Sequence, residues 1–373
     1  MVAPLYNSAE IPVKKPEQAH SGLWFDRFFN RYNTAWDLED KVKAEWIKSM
    51  AGTVGQLEQL ESFIKRQYRL VKHLKGSSQR YKTDWHFVTG MGNSHPVENG
   101  FSWHATLGVP YIAGSAVKGL VRAWVELNDD NLSEPDKKAR LKSWFGTEDK
   151  ADIAEQTGDF IFFDAIPEQR PSLIADIMTP HMGKWYSDGG ENRALKAEAL
   201  PADWHEPIPV TFLAVKHAQF IFSIAPRKAQ QAEQLPAVFA ALEQALEWLG
   251  AGAKTAAGYG YMTQDVSFAK EMDVDLAKHN AKLAKQSMSV QQQAIAEIRE
   301  AFEEKQKLKN PNERVGGTLY NSCTALVKEA KADGVWSDQD KKDLRKLGTE
   351  LLKFVGAKNS KIKEVLDGLP QED

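Results

Sequence analysis

The sequence changes character near residue 270, and this change limits the folds that the whole chain can adopt. Upstream, short runs of β-forming residues alternate with helix-forming runs, whereas residues 271–373 are almost wholly helix-forming. One regular architecture does not suit both regions, because their apolar residues repeat differently. We therefore predict three parts: an N-terminal arm with a basic helical segment (1–83), a mixed core (84–268) and a C-terminal helical domain (269–373).

The mixed core alternates between strand-like and helix-like runs without a strict order. Strands are predicted at Trp85–Val88, Phe101–Thr106, Asp159–Phe163, Pro209–Val215, Gln219–Ala225 and within Tyr259–Phe268. Helices are predicted at 38–75, Ser115–Leu127 and Ala229–Leu249. Pro209–Ala225 is predicted to form a hairpin that turns near Lys216–Ala218. This irregular interleaving favours an α+β fold over a doubly wound sheet.

The overall charge places a limit on nucleic-acid binding. The 373 residues carry a net charge of −3, so any nucleic-acid site must be local or must work inside a larger assembly. The single cysteine, Cys323, allows no disulfide within the chain, which fits a reducing compartment. We find no signal-like segment and no apolar run of membrane-spanning length, so we expect a cytoplasmic protein without a membrane partner.

The first glycine-rich segment, Gly108–Arg122, leads from a loop straight into a helix. Gly114 opens this transition, and Ser115 stands where an N-cap residue is expected. Lys118 and Arg122 are four residues apart and share a helix face, and Gly119 would let another backbone approach. A phosphodiester at this helix start would meet N–H groups, a hydroxyl and two cations. An ordinary capped helix with solvated charges explains the spacing equally well.

The second segment, Gly250–Gly260, connects a predicted helix to a predicted strand. Glycines at this density indicate positive φ angles or close backbone contacts, here at Gly252 and Gly258. Lys254 and Thr255 are candidates to hold a phosphate, and Tyr259 or Tyr261 is a candidate to stack on a base. A nucleoside-triphosphate loop is disfavoured, because Ala253 breaks the required spacing and the order runs from helix to strand.

A basic run and three histidines complete the candidate residues. Ser62–Thr83 has no acidic residue, and we predict that Lys65, Arg66 and Arg69 contact phosphates unless this is simply a solvated helix face. His95, His104 and His181 are candidates for acid–base chemistry. Their spacing matches no metal-site pattern and no cofactor motif occurs, so no metal or cofactor is expected. His181 is also a candidate RNA contact.

Together these segments resemble the RAMP superfamily of CRISPR-associated proteins. Tyr111–Arg122 is similar to a glycine- and lysine-containing element of that superfamily, with Ala113 at a position where proline is usual. Gly250–Gly260 is similar to its C-terminal glycine-rich loop. The order of further motifs narrows the resemblance to the sixth Cmr subunit of type III-B effector complexes: Gly92–Gly100, Phe163–Pro167, Asp176–His181 and Pro209–Phe212.

The resemblance implies a ferredoxin-like (RRM-like) core in two halves. It also implies a non-catalytic RNA-binding subunit that holds the 3′ part of the CRISPR guide RNA and caps the backbone filament in antiviral defence. The implied partners are guide RNA, target RNA, the repeated backbone subunit, the small helical subunit and the head RAMP subunit. Two alternatives stay open: a metal-independent RNA endonuclease that uses one of the three histidines, and a structural cap without RNA contact.

Overall fold

The computed structural model describes residues 14–128, 133–147, 156–188, 200, 205–308, 313–332 and 334–371. The chain divides into two compact units, Met1–Val274 and Asp275–Asp373. The helices are α1 Ser21–Arg27, α2 Asp40–Ser49, α3 Leu57–His73, α4 Gly114–Asn128, α5 Glu134–Phe145, α6 Gly183–Asp188, α7 Leu235–Trp248, α8 Phe268–Ser287, α9 Val290–Gln306, α10 Thr318–Ala332, α11 Asp338–Phe354 and α12 Asn359–Leu366. The strands are β1 Gly52–Thr53, β2 Ser77–Thr83, β3 His86–Phe87, β4 Phe160–Phe162, β5 Ile166–Pro167, β6 Ser172–Met178, β7 Val210–Lys216, β8 Gln219–Pro226 and β9 Met262–Asp265.

The first sheet has the strand order of a ferredoxin-like fold. Its antiparallel order is β4-β8-β2-β9, with β5 also paired to β8. Helix α4 lies in the connection from β2 to β4, and α7 lies in the connection from β8 to β9. Each connection passes over one intervening strand, which is the split βαβ arrangement. The two helices pack against each other. The expected α+β class with a ferredoxin-like core is confirmed.

Apolar spacing explains why α4 and α7 pack where they do. In α4 the buried residues Val117, Val121 and Val125 recur every four residues and form one face. In α7 the matching face includes Leu242 and Leu246. Each of these fully buried side chains contributes roughly 1.5–3 kcal/mol. Because its buried face is packed in the core, α4 has a fixed orientation, and so do the side chains on its exposed face.

The two faces of the first sheet have different neighbours, because successive residues of β2 point to opposite sides. Tyr81 packs on Phe222 and lies near Glu243 of α7. Arg80 lies under the ring of Phe268, and that ring contacts Tyr68 of α3. Helix α3 therefore covers the face of the sheet opposite to α7.

The second sheet is also antiparallel and has the order β1-β6-β7-β3. Its central pair, β6 and β7, is in register from Ser172↔Lys216 to Met178↔Val210. Helix α2 packs against β6 and β7. This sheet forms the second half of the core, and its strand order differs from that of the first half.

The predicted hairpin at Pro209–Ala225 is wrong. Strands β7 and β8 follow each other directly, but β7 pairs with β6 and β3 whereas β8 pairs with β2, β4 and β5. His217 adopts a left-handed φ of 47° at the junction. The amide of Ala218 donates to Thr83 Oγ1 over 2.9 Å, which directs the chain into the first sheet.

Three other predicted elements are revised. The helix predicted at 38–75 is divided into α2 and α3 by β1, where Gly52 and Gly55 have positive φ angles. The strand predicted at Phe101–Thr106 is irregular apart from the isolated bridge of Trp103 with Pro110. The strand predicted within Tyr259–Phe268 is confined to β9, because α8 begins at Phe268.

The second unit is helical in its described part and has its own core. Leu344, Leu347 and Leu351 of α11 are buried at helical spacing, beside the buried Cys323 of α10. Ser289 and Gln292 form a capping box that begins α9. The sequence predicts helix breaks at Asn310–Pro311, Gly316–Gly317 and Asp333–Gly334. Gly316–Gly317 lies in the turn before α10 and Gly334 in the turn before α11, whereas Asn310–Pro311 and Asp333 lie outside the described residues. Among the described residues, no helix is both long and apolar enough to cross a membrane.

Candidate nucleic-acid interface

The two glycine-rich segments line a common cavity of about 500 Å³. One wall comes from the start of α4 and the residues before it, and another comes from the loop after α7. A third comes from the loop that follows β3. The lining residues are Thr89, Gly90, Met91, Gly92, Ser102, Tyr111, Ile112, Ala113, Ala116, Leu120, Gly250, Ala251, Gly252 and Ala253. Two segments that are more than 100 residues apart in the sequence thus form a single concave surface.

The start of α4 is capped by the protein itself. The amide of Gly114 donates to Asp164 Oδ1 over 2.7 Å, and the amides of Ala116 and Val117 donate to the Ala113 carbonyl. Ala113 therefore occupies the N-cap position, and the prediction of Ser115 as the N-cap is wrong: Ser115 is an exposed residue inside the first turn. A phosphate at this position would meet the Asp164 carboxylate, so the expected anion site at the helix start is not formed.

The structural roles of Gly114 and Gly119 differ from the predicted ones. A Cβ on Gly114 would collide with the Phe162 carbonyl, so glycine is needed for the contact between α4 and the end of β4. A Cβ on Gly119 would meet nothing within 4 Å. The prediction that Gly119 admits a close backbone neighbour therefore finds no support within the described chain.

Lys118 and Arg122 lie on the flank of α4 away from the cavity. The cavity-lining residues Ala116 and Leu120 are about 200° around the helix axis from Lys118 and Arg122, at 100° per residue. Lys118 instead belongs to a basic cluster with Arg122 and Arg227. Burial lowers the pKa of the Lys118 ammonium, and the charges of Arg227 and Arg122 lower it further.

The balance of charge in this basic cluster is positive. Arg122 Nε donates to Glu126 Oε1 over 2.7 Å, and Arg227 Nε donates to the Gly158 carbonyl over 2.8 Å. Within the described chain, no carboxylate pairs with Lys118. An anion placed here would relieve the repulsion among three cations. Arg227 is a residue that sequence reasoning missed, because its distance of 109 positions from Lys118 gives no local signal.

The loop after α7 is held in one conformation by glycines. Gly250, Gly252, Gly258 and Gly260 all have positive φ. A Cβ on Gly252 would collide with the Val88 carbonyl, and one on Gly260 with the Ala251 carbonyl. The loop thus packs its own backbone closely against neighbouring carbonyls, as the glycine pattern predicts.

Lys254 and Thr255 lie at the exposed turn of this loop. Thr255–Ala257 form a short 3₁₀ turn between Lys254 and Gly258, both of which are left-handed. A lysine rarely adopts that conformation, since its φ of 61° is uncommon outside glycine. The Lys254 ammonium lies 5.5 Å from the centre of the Phe212 ring. A cation is therefore held in place at the turn and has no carboxylate partner among the described residues.

The predicted stacking role of Tyr259 is wrong, because its ring is only 7% exposed. Its hydroxyl donates to Asp176 Oδ2 over 2.7 Å, and burial together with this hydrogen bond raises its pKa. The exposed aromatic side chain at this position is Trp85, whose ring centre lies 4.8 Å from that of Tyr259. Sequence reasoning missed Trp85 because it lies 174 positions from Tyr259.

The basic residues of α3 lie away from the cavity. Lys65, Arg66 and Arg69 project from α3, which covers the opposite face of the first sheet from α7. Lys65 Nζ lies 3.7 Å from Glu61 Oε2, so this helix is not free of nearby carboxylates. Arg66 borders a groove that also contains Phe63 and Asp164. The structure does not bring these three residues to the cavity.

Two of the three candidate histidines have structural roles. His95 packs on the Phe25 ring, its Nε2 lies 2.9 Å from the Phe25 carbonyl, and its Nδ1 accepts from the Val97 amide. His104 Nδ1 accepts from the amides of Thr106 and Leu107. Burial lowers the pKa of both rings. His181 is exposed in the bend between β6 and α6. In the described part of the chain, no cluster of His, Cys, Asp or Glu is arranged to hold a metal ion.

We expect the protein to lose stability as the pH falls below the ordinary histidine pKa of about 6.5. The folded pKa of His95 is lowered, so the unfolded chain binds more protons below that value and folding becomes less favourable. Replacing His95 with glutamine should reduce the difference in free energy of unfolding between about pH 7.5 and 5.5 by on the order of 1 kcal/mol. Urea denaturation at both pH values measures this. An unchanged difference would contradict a neutral His95 in the folded state.

Comparisons with known proteins agree with the architecture. The sequence model of the RAMP superfamily matches residues 80–263, which include all or part of every strand of the first sheet. This part of the chain, with its ferredoxin-like sheet and glycine-rich loops, is similar to the RAMP superfamily. The chain is 30% identical over 247 residues to CRISPR system Cmr subunit Cmr6 of Pyrococcus furiosus, covering 53% of this chain and 70% of that protein. It therefore belongs to the Cmr6 family.

Other similar proteins match a smaller part of this chain or have a lower sequence identity to it. Cmr6 of Saccharolobus solfataricus is 27% identical over 168 residues, and the matched part is 42% of this chain and 54% of that protein. Among solved structures, type III-B Cmr-beta bound to cognate target RNA matches with a TM-score of 0.46 at 22% identity, over 62% of this chain and 75% of that chain. The crystal structure of Cmr6 from Pyrococcus furiosus matches with a TM-score of 0.30 at 26% identity, over 51% and 98%.

Proposed function

We propose that this chain is a non-catalytic RNA-binding subunit of a type III-B CRISPR effector complex. It holds the 3′ part of the guide RNA and caps the backbone filament, in antiviral defence. Its partners are the guide RNA, the target RNA, the repeated backbone subunit, the small helical subunit and the head RAMP subunit. Membership of the Cmr6 family supports the assembly, and the cavity between the two glycine-rich segments supports the RNA contact.

The cavity suits a sugar–phosphate backbone. Four glycines line it: Gly90, Gly92, Gly250 and Gly252. An added Cβ on Gly92 would meet nothing within 4 Å, so a strand can approach the protein main chain there without a side chain in between. Ser102, Thr89 and Tyr111 carry hydroxyl groups and also line the cavity, and Thr89 Oγ1 already donates to the Tyr111 carbonyl. Main-chain amides and hydroxyls of this kind contact phosphate and sugar rather than base edges. Binding is therefore expected to depend little on nucleotide sequence.

One cation lies beside this cavity, and two others lie on the opposite side of α4 from it. Lys254 is fixed at the turn of the glycine-rich loop, while Lys118 and Arg227 lie on the far flank of α4. These positions can neutralise phosphates as a strand enters and leaves the cavity. They also explain how a chain of net charge −3 binds RNA, because the positive charge is concentrated locally.

Replacing Lys118 and Lys254 together with alanine is expected to weaken guide-RNA binding for all sequences alike. Each lost phosphate contact should lower the slope of log K against log salt by about 1. Fluorescence anisotropy across a potassium chloride series measures both quantities. Lys307 and Lys363 are exposed lysines of the second unit, so their double alanine variant controls for net charge.

Equal affinity and slope in the wild type and the Lys118–Lys254 variant would refute the site. In the assembled complex, the same variant should also lose guide RNA during purification. A complex that retains its guide fully, with no crosslink from this chain to RNA, would favour a structural cap. Cleavage of repeat RNA by the purified wild-type chain would contradict a non-catalytic role.

A further inference from the structure

Trp85 is a large aromatic side chain that the RNA contacts proposed above do not use. It lies between β2 and β3 and remains 45% exposed. A Cβ added to Gly258 would lie 4.0 Å from Trp85 Cε3, so the indole lies beside the glycine-rich loop. An exposed indole at this position is held against the loop that we propose to receive RNA phosphates.

Neighbouring rings fix the orientation of this indole. His86 stacks on it with ring centres 4.5 Å apart and planes 18° apart, and Tyr259 lies 4.8 Å away at 42°. The ring centres of His86 and Tyr259 are 6.4 Å apart. If Tyr259 covered the face of the indole opposite to His86, the centres of the Tyr259 and His86 rings would be about as far apart as the other two distances added together. The observed separation is much shorter, so Tyr259 does not cover that face. That face meets neither ring.

Tyr259 is itself anchored, which makes the support rigid. Its hydroxyl donates to Asp176 Oδ2 on β6, and its ring contacts Phe212 on β7. His86 pairs in register with Lys216 across β3 and β7. The indole therefore rests on side chains and backbone of the second sheet, and little side-chain freedom is lost when a planar group stacks on it.

Two lysines, Lys216 and Lys254, lie near the rings that support the indole. Lys216 and His217 are exposed beside His86, and the ring centres of His86 and His217 are 5.9 Å apart. Lys254 lies over Phe212, the ring that also contacts Tyr259. Stacking surfaces for single-stranded nucleic acid combine an exposed aromatic ring with nearby cations in this way. A single indole is also much smaller than a stable protein–protein contact.

We propose that Trp85 is a stacking platform for one unpaired nucleobase of the RNA whose backbone lies along the glycine-rich loop. The inference rests on the proposed function and adds a contact to a base face, which tolerates any base. Phosphate contacts and base stacking have different signatures. Phosphate contacts weaken as the salt concentration rises and do not depend on which base is present. Stacking requires a base and depends little on the salt concentration.

The test compares two short single-stranded ligands, an oligouridine and an abasic ribose–phosphate chain of equal length. Replacing Trp85 with alanine in the full-length chain should weaken oligouridine binding about tenfold without changing the salt slope. Abasic binding should stay unchanged. Trp85→Phe should retain most of the affinity. Trp248→Ala removes an indole at the end of α7 that is even more exposed, at 63%, and should have no effect. Thermal unfolding confirms that each variant is folded.

The possible outcomes separate this inference from the proposed function. If Trp85→Ala binds oligouridine like the wild type while Lys118→Ala with Lys254→Ala binds weakly, the platform is refuted and the RNA site stands. If the wild type binds neither ligand, both proposals fall. If Trp85→Ala keeps full RNA affinity but loses a neighbouring Cmr subunit on purification, the indole contacts protein instead. An equal loss for both ligands would also overturn base stacking.

Discussion

Replacing Arg80 with alanine is expected to lower the free energy of unfolding by about 2 kcal/mol, because the change removes the charge-assisted hydrogen bonds between a buried guanidinium and the Glu168 carboxylate. The Arg80 side chain is only 9% exposed. Its guanidinium binds both oxygens of Glu168 at 3.0 and 2.9 Å, and it also pairs with Asp265 at 2.9 Å and Glu271 at 3.3 Å. Ser267 accepts a further hydrogen bond of 2.6 Å.

Urea denaturation of Arg80→Ala and Arg80→Lys measures the effect. Lysine restores the charge but cannot reproduce the planar fork, so it should recover only part of the loss. Arg122→Ala is the matched control. Its partner Glu126 is four residues along an exposed helix face, and such pairs contribute about 0.5 kcal/mol or less. Similar losses in Arg80→Ala and Arg122→Ala would show that the cluster around Arg80 adds nothing beyond an ordinary surface pair.

Arg80 also shows why one strand escaped prediction from the sequence. Strand β2 reads Ser-Ser-Gln-Arg-Tyr-Lys-Thr, a polar run that carries no apolar alternation, yet it pairs with β8 and β9 in the centre of the first sheet. Buried polar groups satisfy one another there: Ser78 and Ser223 share a hydrogen bond of 2.8 Å, and Arg80 meets its carboxylates. Partners of this kind come from distant parts of the chain, so no local pattern indicates them.

Replacing Gly260 with alanine is the second change that we expect to be severe. The residue has a φ of 80°, and an added Cβ would collide with the Ala251 carbonyl. The left-handed conformation alone costs an alanine about 1–2 kcal/mol, and the collision adds to that. Because the carbonyl belongs to the same loop, relief requires the loop to move, so both stability and RNA affinity should fall.

The variant Gly316→Ala separates the cost of the left-handed backbone conformation from the cost of the collision. Gly316 has a φ of 86° and open space around its Cβ position, so it carries the backbone strain without the collision. Thermal unfolding should show a clearly larger loss for Gly260→Ala than for Gly316→Ala, and RNA anisotropy should change only for the former. Equal losses, with RNA affinity intact in both, would mean that the close backbone contact at Gly260 is unimportant.

The sequence predicts the parts of the candidate site whose backbone conformation depends on glycine. It does not predict the parts whose hydrogen-bond partners come from distant positions in the chain. The two glycine-rich segments singled out in the sequence line one cavity, and positive φ angles at Gly250 and Gly252 shape its wall. The roles assigned to Ser115 and Tyr259 failed because Asp164 and Asp176, each far along the chain, already satisfy those positions. The domain boundaries and the RNA contacts themselves stay predictions.

The pairing of β2 has a consequence for synthesis of the chain on the ribosome. Residues 77–83 emerge early, but their partners in β8 and β9 are translated some 140 to 180 positions later. At roughly 5–20 residues per second, the strand waits on the order of ten seconds or more before the sheet can close. A polar strand tolerates that delay, since an apolar one would present an aggregation-prone edge in the nascent chain.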